Sequence, residues 1–367
     1  MKSTKLFVII TIIYCGLIVM PYRSFGMCDL FRDSPHIHDL KKELFRTNFV
    51  SLKDLGKRWG QGVYQSRFTI KPSPKNPIEE RAVSVYLPPQ YFKEPKKKFR
   101  ILLAFDGQNT WDDPDCGLGG WHGWQLNLQA EALIEKQIIE PIIIVAIPHG
   151  SERFDEDLPP PDPKGKGQEF VNYIINDIMP FLNQNLRIQD GAENIAILGS
   201  SLGGNLAFWI GMDFPHIFGI AGVFSPALWA LAIPDSLRDE ERQGNREALE
   251  KYELSEKDLE SRLYPYIKEP QGKLYIYVGG VRNPQHRDES DGTDLTLEMI
   301  ARLQATTWGN NGYFHRAWVE GAGHNEVSWS EAFDGFARTH FPGPRVNDSF
   351  RYTHTKRKKS SSYVNVQ

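Results

Sequence analysis

The sequence predicts an α/β fold, a mostly parallel central sheet with helices on both faces and a helical insertion. Three observations carry this. Strand-like and helix-like segments alternate from about residue 60 to 341. Ile142 to Ile147 is wholly apolar between Pro141 and Pro148, as a strand buried on both faces would be. Asn194 to Leu198, a short apolar run, passes through Gly199-Ser200-Ser201-Leu202-Gly203-Gly204 into the helix-like Asn205 to Ile210.

The chain has 367 residues, 40% hydrophobic and 24% charged, with a formal charge of −3. That balance argues against nucleic acid as a partner. Residues 1–26 read as a leader. Two lysines precede the uncharged run Leu6 to Met20, and Ser24-Phe25-Gly26 offers small residues for cleavage after Gly26. A secretory signal peptide is expected, with a secreted or periplasmic product and no stable membrane insertion after cleavage. An uncleaved anchor helix is the alternative. Cleavage would leave Cys28 and Cys116, which admit one disulfide.

Residues 27–59 form a polar lead-in, and the domain is expected over 60–342. Val63 to Ile70 and Ala82 to Leu87 alternate apolar with polar, as half-buried strands do. Arg100 to Phe105 is a third strand, ending in Asp106-Gly107-Gln108-Asn109. A Trp-rich loop follows, then a helix over Leu126 to Gln137. Glu169 to Leu186 has helical periodicity. After the Ser201 turn come strands at Phe218 to Phe224, Lys273 to Val278 and Tyr313 to Val319, and helices at Leu295 to Ala305 and Val327 to Phe341. Residues 235–269, with eleven acids and seven bases, read as a helical insertion, either a surface excursion or a lid. Residues 343–367, with six bases and one acid, read as a disordered basic tail.

Strand, Gly199-x-Ser201-x-Gly203, helix is the pattern of the nucleophile elbow of an α/β-hydrolase. The turn leaves almost no space for neighbouring side chains. It sets Ser201 at a helix N-terminus, where backbone N–H groups meet a developing oxyanion. A serine needs a base, and in this fold the base follows it in the chain. His324, after the last strand in Gly321-Ala322-Gly323, is that candidate. For the oxyanion hole, the N–H of Leu202 is one candidate donor. The second is expected from Gln108, with Gly107 next.

Taken together, these motifs resemble the putative-esterase family of α/β-hydrolases, which includes enterochelin, feruloyl and acetylxylan esterases, esterase D and the secreted mycolyltransferases. The resemblance rests on Arg81 to Pro89, Leu102 to Gln108, Arg153 with its nearby acids, Gly199 to Gly204, Ser225-Pro226-Ala227, and Gly323-His324-Asn325-Glu326 with Trp329. It implies a Ser–Asp/Glu–His hydrolase of carboxylic esters, with no cofactor and a small-molecule, carbohydrate or siderophore-type ester as substrate. One departure stands out. The family's acid lies just after the strand matched by Lys273 to Gly280, where this chain reads Val281-Arg282-Asn283. The next acids are Asp288, Glu289, Asp291 and Asp294. Asp288, nearest the strand, is the expected third member of the triad, and Asp294 is the expected cap of the helix near Leu295. A Ser201–His324 dyad with Asn283 or a carbonyl orienting the ring is the alternative.

Trp111, Trp121 and His122 stand near the presumed oxyanion loop as candidate substrate contacts, or as loop packing. Arg153 would meet a substrate carboxylate or pair with Asp155, Glu156 or Asp157. Asp112, Asp113 and Asp115 lack a full calcium-loop pattern, so no metal is expected. An acyltransferase using the same acyl-enzyme, and a non-catalytic binding protein on the same fold, are the rival functions.

Overall fold

A computed structural model of the chain describes residues 64–111, 123–283, 290–310, 312–346 and 362–364. Outside them lie the leader, the lead-in 27–59, Cys28 and Cys116, Asp112, Asp113 and Asp115, Trp121, His122 and Asp288.

The strands are β1 (Tyr64–Ile70), β2 (Arg81–Leu87), β3 (Arg100–Ala104), β4 (Ile142–Ala146), β5 (Ile195–Ser200), β6 (Ile220–Pro226), β7 (Lys273–Val278), β8 (Phe314–Glu320) and β9 (Ser362–Val364). They form one sheet in the order β1-β2-β4-β3-β5-β6-β7-β8-β9. Strands β3 to β8 run parallel, and β1, β2 and β9 run antiparallel to their neighbours. All five residues of β4 are buried, as a central strand covered on both faces requires.

Alternate side chains feed two cores. On one face Leu103, Val145, Ile197, Val223 and Ile276 meet helices α3 (Gly167–Tyr173), α4 (Ser201–Asp213) and α6 (Thr293–Gln304). On the other, Leu102, Ile144, Leu198, Phe224 and Tyr277 meet α1 (Leu126–Glu135) and α7 (Glu326–His340). The expected α/β-hydrolase layering is therefore present.

The strand-to-helix turn at the end of β5 explains its glycines. A Cβ on Gly199 would lie 2.1 Å from the Gly203 carbonyl oxygen. Between β6 and β7, α5 (Asp235–Arg242) and short helical turns to Tyr266 form the insertion. It is tied down more firmly than its charge suggests. Arg238 is buried and donates to Asp162 at 3.1 Å, while Arg242 donates to Asp155 at 2.6 Å and to Asp162 at 2.9 Å. Leu259 and Leu263 enter the core. Of the expected tail, only residues 343–346 and 362–364 are among the described residues. Residues 362–364 pair with β8, so this short β-prone run supplies an edge strand.

Gly199→Ala should lower the urea midpoint by an amount equivalent to about 3 kcal/mol with an unchanged slope, because the new methyl overlaps a backbone carbonyl. An unaltered midpoint would show that the turn relaxes freely.

Candidate active site

The carboxyl ends of β3, β5, β6, β7 and β8 lie side by side, the edge of an open parallel sheet where ligands bind. Ser201 opens α4 with φ of 56°, a left-handed backbone that a non-glycine residue adopts only under constraint. The constraint comes from both sides. Its carbonyl accepts the Ala227 N–H at 3.0 Å, and it bridges to Pro226. The next N–H, that of Leu202, falls in the first turn of α4, where no carbonyl four residues back lies within the helix.

The loop after β3 forms a short turn, Gly107–Asn109. Gly107 is ruled out as an oxyanion donor, because its N–H is spent on the Ile147 carbonyl at 2.9 Å. Its glycine has another cause: a Cβ there would sit 2.5 Å from the Ile147 nitrogen. Among the described residues, the backbone hydrogen bonds of this turn use the N–H groups of Gly107, Asn109 and Thr110 but not that of Gln108.

Asp106 starts this turn in a left-handed conformation (φ 51°) and is buried. Arg153 grips it with both arms, Nε to Oδ1 at 2.7 Å and Nη2 to Oδ2 at 2.8 Å. Burial alone would raise the Asp106 carboxyl, but the Arg153 charge and its two bonds prevail and hold it below its ordinary value. Asp157, 3.6 Å from Arg153, goes the other way: burial, then the Asp106 charge, push it well above the carboxylate range. Two of the Arg153 donors are thus taken by Asp106, and its main partner is none of Asp155, Glu156 and Asp157, the acids that follow it.

Arg153 belongs to α2 (Arg153–Glu156), a single turn with an ion pair on three of its four residues. Asp155 meets Arg242 of the insertion. Glu156 meets Arg81 of β2 at 2.5 Å and accepts the Gly150 N–H at 2.9 Å.

His324 lies beyond β8. Its Nδ1 is 2.6 Å from Asp291 Oδ1. Asp291 has 1% of its side chain exposed and accepts on Oδ2 from the Ser225 hydroxyl at 2.7 Å and from the Gly279 N–H. With Nδ1–H donating to this carboxylate, Nε2 is left as the acceptor. Trp329 supports the arrangement twice. Its ring meets the imidazole edge-on at 5.0 Å and 82°, and its Nε1–H donates to Ser225 Oγ at 3.0 Å. Asp291 and Ser225 are both left-handed, with φ of 76° and 39°.

The carboxyl group on Nδ1 is therefore that of Asp291, 13 residues past the end of β7, while Asp288 lies outside the described residues. Asp294 is not a cap. It sits in the first turn of α6 and reaches back to the Asn283 N–H and to Arg282 Nε at 3.2 Å. Trp111 is 5% exposed and donates to Ser84 Oγ at 2.8 Å, so it is packed into the core rather than open to substrate. Among the described residues, no cluster of three His, Cys, Asp or Glu side chains is placed to hold a metal.

Sheet, turn and histidine loop together define an α/β-hydrolase. The chain belongs to the family described as "Putative esterase", whose model matches residues 75–339. Two curated relatives from Bacillus subtilis (strain 168), the uncharacterized proteins YjcH and YbbA, are 25% and 24% identical over 148 and 158 residues. These matches cover 40% and 41% of this chain and 56% and 58% of the relatives, so the chain spans little more than half the length of either. Among solved structures, a ferulic acid esterase matches with a TM-score of 0.54 at 16% identity, over 76% of this chain and 98% of its own. The enterobactin esterase FES from Shigella flexneri, in the presence of 2,3-di-hydroxy-N-benzoyl-serine, matches with a TM-score of 0.50 at 16% identity, over 75% and 58%. Both share the fold.

Arg153→Met should cost about 3–5 kcal/mol of stability at pH 7, because it strands the buried Asp106 charge. The native Asp106 carboxyl is depressed, so the stability it supplies is present above its ordinary value near 4 and fades as pH falls through the lower folded value. The gap between variant and wild type should therefore narrow on acidification. Chemical unfolding in steps from pH 7 to pH 2 measures it, and a constant gap across that range would contradict the charge origin.

Proposed function

We propose that this chain is an exported serine esterase acting on small-molecule carboxylic esters through an acyl-enzyme on Ser201. The observation that carries the reading is His324 held through Nδ1 by the buried Asp291, with Nε2 left as a base. The strained Ser201 at the head of α4 supports it.

In this mechanism Nε2 of His324 takes the Ser201 hydroxyl proton as Oγ attacks the ester carbonyl carbon. The oxyanion is received by the N–H groups of Leu202 and Gln108. The tetrahedral adduct collapses, and the departing alkoxide takes the proton from the imidazolium. Water then attacks the acyl-enzyme with His324 again as base, which frees the acid and restores Ser201. Asp291 fixes the tautomer and stabilises the imidazolium. The Ser225 hydroxyl and the Gly279 N–H keep its second oxygen in place.

Export rests on the pattern of residues 1–26 alone. It predicts that the chain isolated from its host begins at residue 27, which N-terminal sequencing reads directly. Retention of the first 26 residues would favour the anchor.

Activity is tested with a fluorophosphonate probe and a panel of p-nitrophenyl, feruloyl and catecholate esters. Wild type should label and turn over at least one ester, and Ser201→Ala should do neither. A wild type inert to both would sink the esterase reading. Within an active protein, Asp291→Asn should lower kcat by about 10⁴ by allowing the wrong imidazole tautomer. Asp288→Asn should behave like wild type, and the reverse pattern would give the role to Asp288.

A further inference from the structure

One buried carboxyl beside the site has no part in that mechanism. Glu326 is the first residue of α7, two positions after His324, and it is 7% exposed. Its Oε1 accepts from the side-chain amide of Asn109, Nδ2 to Oε1 at 3.2 Å. The two residues are 217 positions apart. Asn109 ends the turn that presents the Gln108 N–H, and Glu326 begins the helix that the histidine loop runs into. Asn109 is itself well fixed: it is 8% exposed, and its carbonyl accepts the Trp124 N–H at 2.7 Å.

We propose that Glu326 is a positioning residue, its carboxyl and the Asn109 amide forming a clasp that fastens the oxyanion turn to the histidine loop. The inference rests on the esterase reading for its catalytic consequence, and on geometry alone for the clasp.

The unmet need of Asn109 points the same way. Asn109 Oδ1 is buried with no hydrogen-bond partner. An ionised carboxylate has nothing to donate to it, whereas a neutral carboxyl has one O–H. An acid and a primary amide facing each other can then make two bonds in opposite senses, which leaves Oδ1 satisfied. The surroundings favour that form. Burial is the largest influence on Glu326 and raises its carboxyl above the ordinary value, and Asp106 adds to the rise. His324, Arg153 and its own backbone N–H oppose it without reversing it. These are the charged groups facing it: His324 from the same loop, Asp106 from the oxyanion turn and Arg153 from α2. A neutral Glu326 also spares His324 a second anionic neighbour that would compete with Asp291 for the ring.

The clasp is read first without substrate. Asn109→Ala, Glu326→Ala and the double variant are compared by their urea midpoints. The double variant should fall no further than the more severe single, and additive shifts would overturn the clasp. Its catalytic role is read from kcat and KM. Glu326→Ala should lower kcat about 10- to 100-fold by loosening the donor turn, with KM little changed. Glu326→Gln, which can both accept and donate at every pH, should restore most of kcat. It should also abolish the decline that the wild type shows as pH rises through the Glu326 value and the carboxyl loses its O–H. Equal loss in both variants, or none in either, would overturn the positioning role. A non-additive cycle in a protein that hydrolyses no ester would leave the clasp standing and dismiss the esterase reading instead. If Glu326→Ala does not fold, Asn109→Ala against Glu326→Gln gives the same comparison.

Discussion

The ion pair between Arg153 and the buried Asp106 is the contact on which the candidate site depends most. Asp106 must be left-handed to turn the chain sharply at the end of β3, and it must be charged to hold Arg153. Either requirement alone is costly in a buried position. Both are met because Arg153 arrives from a single helical turn that is itself fixed at Arg81 on one side and Arg242 on the other. The turn at Gly107–Asn109 is thus braced through ion pairs to strand β2 and to the insertion after β6. Elements far apart in sequence converge on it.

Backbone strain follows the same geography. Among the described residues six non-glycine positions have positive φ: Asp106, Gln125, Gln137, Ser201, Ser225 and Asp291. Four of them build the site. Asp106, Ser201 and Ser225 lie at or just after the carboxyl end of a strand, where the chain leaves the sheet, and Asp291 comes back to the same edge from 13 residues beyond β7. The sheet tolerates this because its core is apolar on both faces and its register is set well before the strand ends.

Much of the fold was legible in sequence because its signals are local. Alternation, flanking prolines and glycine spacing locate the strands within a residue or two, and the Gly199-x-Ser201-x-Gly203 turn is contained in five residues. What could not be read was pairing across the fold. Arg153 has four acids within four residues of it, yet its main partner is one 47 residues away. Nothing along the chain distinguishes Asp291 from Asp294, because the choice is made by Ser225 and Gly279 at the ends of other strands. An aromatic residue in a loop suggests a ligand contact, and only the fold shows that the Trp111 N–H is taken by the Ser84 hydroxyl. At Gly107 the constraint also comes from across the fold. Its lack of a side chain matters to β4, and its N–H is already used.

The remote seat of Asp291 has a corollary. Where the acid sits directly after the strand, any change in the length of that turn moves the carboxylate. Here the carboxylate is pinned from outside, by a serine at the end of β6 and an N–H at the end of β7, and α6 begins immediately behind it. The hold on Asp291 is therefore set by the ends of two neighbouring strands rather than by the length of chain between Gly280 and Asp291, so a change in that length would leave the carboxylate's anchors where they are.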